Sequence, residues 1–158
     1  MVLEYLVDFD GVILNSQEKF IEVMKDNVNF YDWLNYLSSI DWYKFLRECE
    51  EIDGSINTLL KLQEYKKLRA IITRIHSFQE GYEKLVYLRE RSIYVPILYV
   101  LPEQKKSDVF IPNENTFLVD DDVKNCIDWR KASGNALLFK PKTKKLEPGV
   151  INSLKQLL

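Results

Sequence analysis

The sequence predicts an α/β domain: a parallel sheet of about five strands with helices on both faces and a small helical cap inserted after strand one. Three observations predict it. Short apolar runs recur at 2–7, 69–73, 95–100, 116–120 and 136–139, nearly continuous rather than alternating, as expected of strands buried on both faces. Segments with apolar residues at threes and fours separate these runs, the pattern of strands joined by crossover helices. Some fifty residues of helical spacing, roughly 17–66, stand between the first run and the second.

The first strand, Val2 to Val7, is broken only by Glu4, and Gly11 follows where a sharp turn needs a permissive backbone. Asn15 with Glu18 reads as a capping box opening a helix, with Phe20, Ile21, Met24 and Val28 along one face. Leu34 and Leu37, then Trp42, Phe45, Leu46 and Cys49, then Ile56, Leu59, Leu60 and Leu62 continue the helical spacing, and "DGS" at 53–55 divides two helices. The second strand, "RAIIT", precedes a helix that Ser77 and Glu80 open as a second capping box. "VPILYV" is the third strand, with Pro96 tolerable near its start, and "TFLVD" the fourth. A helix from Val123 to Ala132 closes on Gly134, "ALLF" is the fifth strand, and a last helix is expected from Gly149 to Leu158. The core is thus drawn as 1–16 and 67–158, and the cap as 17–66.

Bulk properties bound the function. With 158 residues, 46% apolar and 29% charged, the chain suits one compact domain with a modest insertion. Its 22 Lys and Arg nearly balance 24 Asp and Glu, so no basic face for duplex nucleic acid is expected. No window reaches the ~18 apolar residues of a membrane span. Cys49 and Cys126 match no metal spacing and read as free thiols of a reducing, cytoplasmic protein. The single histidine, His76, excludes a multi-histidine metal site.

The chemistry gathers at the strand ends. "EYLVDFDGV" ends a buried strand on Asp8 and Asp10, two acids that are costly to desolvate without a proton or a cation beside them. The second strand ends on Thr73, Lys105 and Lys106 follow the third, and Asp120, Asp121 and Asp122 end the fourth. In an open parallel sheet all of these fall on the edge where ligands bind. The missing partner is a hard cation, Mg²⁺, held by Asp8, Asp10, Asp120 and Asp121, with Asp122 left to cap the following helix.

This ordered set resembles the haloacid dehalogenase-like hydrolase superfamily. "DFDGV" is similar to its first motif, Thr73 to the second, Lys106 to the third and the acids after "FLV" to the fourth. The spacing favours Lys106 over Lys105. The tail from Lys105 to Phe139, with Asn125, Trp129, Ala132 and Gly134, resembles the 5′(3′)-deoxyribonucleotidase branch, although Ser133 replaces the first of a frequent glycine pair and Asp122 stands where a basic residue is common. The resemblance implies a Rossmann-like core and a Mg²⁺-dependent phosphatase. Asp8 is then the nucleophile that forms an aspartyl-phosphate, and Asp10 the general acid and base. Thr73 and Lys106 would hold the phosphoryl oxygens. A small phosphomonoester is the expected substrate, nucleoside monophosphates first. Sugar phosphates, nucleic-acid ends and a silent phosphate-binding module of the same fold remain as alternatives. The aromatics of 29–45 read as cap core, or as a stacking surface for a base, with Tyr31, Trp33 and Tyr43 the candidates.

Overall fold

A computed structural model of the chain describes residues 2–24 and 30–158, with the side chains of 23–24 and 30–34 outside the description. In chain order the elements are β1 (Glu4–Val7), α1 (Ser16–Met24), α2 (Phe30–Ser39), α3 (Trp42–Glu48), α4 (Ser55–Glu64), β2 (Leu68–Arg74), α5 (Phe78–Arg89), β3 (Ile97–Val100), α6 (Lys106–Val109), β4 (Thr116–Asp120), α7 (Val123–Lys131), β5 (Asn135–Phe139) and β6 (Val150–Ile151). A short 3₁₀ helix, Leu154–Leu157, ends the chain.

The six strands form one sheet in the order β3-β2-β1-β4-β5-β6, with every pairing parallel. This is the doubly wound order whose connections reverse direction between β1 and β4, leaving a crevice beyond the carboxyl ends of those two strands.

Successive residues of each strand feed opposite faces, as the pleat requires. Tyr5, Val7, Ile71 and Val119 join one core, and Leu6, Ala70, Ile72 and Leu118 join the other. Trp129 and Cys126 of α7 cover the second face. The first face is covered by Tyr87 and Leu88 of α5 and by Trp42, Phe45, Leu46, Leu59 and Leu62 of α3 and α4. Helices α3 and α4 are therefore packed into the same core as the sheet. Ser55 ties α4 to the β1 loop by donating to the Ile13 carbonyl at 2.8 Å.

The carboxyl-terminal segment differs from expectation. Instead of one helix over 149–158, Glu147-Pro148-Gly149-Val150 makes a turn, closed by Val150 N–H donating to the Glu147 carbonyl, with Gly149 at φ +79°. Proline then glycine at the central positions is the type II pattern. The β-branched pair Val150 and Ile151 extends the sheet, and Ser153 with Gln156 forms a capping box for the final 3₁₀ turn. Asn15 also departs from its expected role. Its side chain accepts from Glu50 N–H at 2.8 Å, tying the β1 loop to the end of α3.

Candidate active site

Asp8 directly follows β1, and Asp120 is the last residue of β4, its hydrogen-bonded neighbour in the sheet. Their proximity follows from strand order alone. The chain after Asp8 turns sharply: the Phe9 carbonyl accepts from Ile13 N–H at 2.9 Å, and Gly11 N–H donates to the Leu14 carbonyl at 2.8 Å. Phe9, Val12, Ile13 and Leu14 are fully buried. This apolar anchoring fixes a loop that would otherwise hold two acids loosely.

Lys106, first residue of α6, is buried between two carboxylates, 2.7 Å from Asp8 Oδ1 and 2.5 Å from Asp120 Oδ2. Lys105 is exposed, its ammonium 3.9 Å from Asp128. The phosphate-side lysine predicted at 106 is thus the one beside the acids. Asp120 is held on both oxygens. Its Oδ1 accepts from Asp122 N–H at 2.9 Å, and its Oδ2 also accepts from Asn125 at 3.1 Å. Asp122 caps α7 by accepting from Lys124 N–H, as expected of the third acid.

Carboxylate oxygens of Asp8, Asp120 and Asp121 lie within 4.8 Å of one another. Burial pushes the Asp8 carboxyl well above the usual range, and Asp120 adds to this against the opposing pull of Lys106. Burial, with Asp120 next, likewise raises Asp121 to about 7. Lys106 is lowered by burial, but Asp8 and Asp120 outweigh that and leave it above the ordinary lysine range. One ammonium does not balance this set. Three hard oxygen donors close together with excess negative charge suit a hard divalent cation. Gly11 makes room for them: a Cβ there would stand 2.2 Å from Asp121 Oδ2.

Asp10 does not join that cluster through its side chain. Its Oδ1 accepts from Ser16 at 2.6 Å, and its Oδ2 pairs with Lys84 at 2.7 Å. Lys84 was not anticipated from sequence. It is fully buried on α5 and also donates to Thr73 Oγ1 at 2.9 Å, the Arg74 carbonyl at 3.1 Å and Glu80 at 2.7 Å. Thr73 is fully buried, with its hydroxyl turned to Lys84.

The cleft above these residues, about 330 Å³, is lined by Asp8, Asp10, Lys106, Asp120, Asp121 and Asn125, with Phe20 and Ile21 on one side and Arg74 and His76 on another. Arg74 Nη1 donates to the carbonyls of Leu101, Pro102 and Gln104, bracing the loop that leads to Lys106. A larger groove of about 490 Å³ adjoins it, sharing Gln17, Ile21 and Asp121 and running past Phe139, Lys140 and Lys142. The carboxylates and Lys106 converge on the smaller cleft.

The predicted aromatics are placed unequally. Tyr43 lies outside the cleft lining, half-exposed beneath the Arg47 guanidinium at 3.4 Å from its ring. Tyr31 and Trp33 fall on α2 in the stretch whose side chains are outside the described residues. The cleft instead receives Phe20, whose ring packs on Phe45 at 4.7 Å and Trp42 at 5.7 Å.

A scan against protein-family models and a search of the curated proteins return no match. Among solved structures, the chain is similar to a HAD-superfamily hydrolase from Ehrlichia chaffeensis. The TM-score is 0.58 at 11% identity, over 99% of this chain and 95% of that one. At that identity the likeness is one of fold. It agrees with the α/β class, the parallel sheet and the flanking helices read from the sequence. Among the described residues, no helix is long and apolar enough to cross a membrane.

Proposed function

We propose that the chain is a Mg²⁺-dependent phosphomonoester hydrolase that works through an aspartyl-phosphate on Asp8. The observation that carries this reading is the buried Asp8 carboxylate, paired with Lys106 and facing Asp120 and Asp121, at the point where the sheet reverses its winding. Asp8, Asp121 and the Asp10 backbone carbonyl would hold the ion, with Asp120 beside them. When bound, Mg²⁺ supplies the positive charge that lets an anionic nucleophile meet an anionic phosphate.

The chain's own groups account for the remaining chemistry. Lys106 fixes one oxygen of Asp8 and offers charge to a phosphoryl oxygen. An Asp8 oxygen forms the bond to phosphorus as the bond to the leaving oxygen breaks. Asp10, lining the cleft two residues on, gives a proton to that oxygen and then takes one from the attacking water. Thr73 acts through Lys84 in this arrangement, since its hydroxyl is directed there.

The substrate proposed first is a nucleoside monophosphate, supported by the similarity of the tail and by an aromatic ring, Phe20, at the cleft wall. The core at 1–16 and 67–158 supplies the reacting groups, while α1 of the insertion supplies Phe20 and Ile21 to the mouth. A panel of phosphomonoesters assayed with Mg²⁺ and with excess chelator tests this reading. Turnover with Mg²⁺ that vanishes with chelator and in Asp8→Asn is expected. Phosphate binding without turnover on any ester would instead favour the silent module.

A further inference from the structure

We infer that Lys84 is a positioning residue that locks the Asp10 carboxylate in the orientation from which it accepts the proton of the attacking water. The inference rests on the proposed aspartyl-phosphate route and concerns its second step.

Lys84 sits on α5 with its ammonium fully buried, reaching across to the β1 loop. Four acceptors surround its three hydrogens: Asp10 Oδ2, Glu80 Oε2, Thr73 Oγ1 and the Arg74 carbonyl, all between 2.7 and 3.1 Å. With four acceptors for three hydrogens, the ammonium leaves no donor unused. Glu80 is itself fixed, accepting from His76 N–H and lying 3.0 Å from His76 Nδ1. The ring of Phe9 lies 5.1 Å from the ammonium, so the charge is enclosed by its partners and an aromatic face. Ser16 grips the other Asp10 oxygen.

The consequence for Asp10 is geometric. With one oxygen held by Ser16 and the other by Lys84, the carboxylate plane is set and kept out of the Asp8, Asp120 and Asp121 cluster. Asp10 still lines the cleft, with its side chain about one-fifth exposed. The proton acceptor of the second step is thereby held in one place. In that step water forms a bond to phosphorus and its proton passes to Asp10. The bond from phosphorus to the Asp8 oxygen breaks, restoring the Asp8 carboxylate and freeing phosphate. Preorganising a proton acceptor in this way is the usual task of a supporting shell.

Lys84→Met alone would strand Glu80 as a buried charge, so the test uses Lys84→Met with Glu80→Gln, and Glu80→Gln alone as the control that keeps Lys84. With p-nitrophenyl phosphate the first step releases a stable phenolate that needs no proton, so loss of Lys84 slows only the second step. The double variant should show a burst of nitrophenolate near one per site. Steady turnover should then fall on the order of a hundredfold, with phosphorylated protein accumulating. The control should show no burst. A crystal structure of the double variant should show the Asp10 carboxylate turned from its place while Asp8 and Lys106 keep theirs. Turnover lost without a burst, or unchanged turnover, would overturn the inference. If the unaltered protein hydrolyses no ester, the phosphatase reading fails separately. The crystal structure then decides on Lys84, and an unmoved Asp10 carboxylate overturns the positioning role.

Discussion

Gly11→Ala tests how the β1 loop admits the metal-side carboxylate. Gly11 has φ +77°, a conformation in which an alanine is disfavoured by roughly 1–2 kcal/mol. For a chain of this length that corresponds to a melting temperature lower by about 2–8 °C. A second effect is specific to the site. The new Cβ would lie 2.2 Å from Asp121 Oδ2 and 2.8 Å from its Cγ. Ordinary contact begins at 3.4 Å, so the carboxylate must retreat by about 1.2 Å. A Mg²⁺ ligand shell tolerates only a few tenths of an ångström. Mg²⁺ affinity should therefore fall at least about tenfold. Gly54→Ala separates the two effects, because Gly54 also has positive φ but a Cβ there meets nothing within 4 Å. Melting curves over a Mg²⁺ titration provide the assay. Both variants should melt lower in chelator, and only Gly11→Ala should need more Mg²⁺ to recover. A Gly11→Ala midpoint equal to the unaltered protein's would refute the placement of Asp121 at the ion.

Other consequences can be measured alongside. Asp121 is raised from its ordinary 3.8 to about 7, and Asp8 is raised too, so their contribution to folding is complete below about pH 4 and lost as pH rises toward 7. In chelator, stability should fall across that window, and the gain from Mg²⁺ should be largest at and above pH 7, read from melting temperatures at each pH. Lys106→Met leaves Asp8 and Asp120 buried without their cation and should cost about 3–5 kcal/mol in urea denaturation. A cost under about 1 kcal/mol would mean that the pair is not buried as described. Phe20→Leu keeps apolar volume but removes the ring, and should reduce kcat/KM for nucleoside monophosphates relative to sugar phosphates by roughly 1–3 kcal/mol equivalent. Tyr43→Ala should change that ratio less, and the reverse ranking would return the stacking role to Tyr43.

Much of this architecture was legible because buried parallel strands leave continuous apolar runs. The runs at 69–73, 116–120 and 136–139 lie within a residue or so of β2, β4 and β5. The acids at their ends could be placed on one edge before any coordinates, since strand polarity alone requires it. β6 was hidden by its length: two residues after a Pro-Gly turn give no periodic signal. The capping box at Ser153 and Gln156 was the available cue. Lys84 was obscured differently. Glu80 and Lys84 stand at i and i+4, the usual signature of an exposed helix pair. Yet they share the spacing of Tyr87 and Leu88, which puts the two charges in the helix's buried stripe. That conflict between charge and apolar periodicity was the signal that could have marked them. Asn15 illustrates the limit of local rules, since a tertiary partner, the Glu50 amide, takes the side chain that capping would have used.

If Asp8 attacks phosphorus, the phosphoryl group can be trapped on its carboxylate. The protein is incubated with Mg²⁺ and a hydrolysable phosphomonoester, quenched in acid, and its peptides are mapped by mass spectrometry. A phosphoryl group on Asp8, absent from Asp8→Asn and from the chelator-treated sample, is the predicted result. Steady turnover with no phosphoryl group on Asp8, or with the group on His76 instead, would rule out Asp8 as the nucleophile.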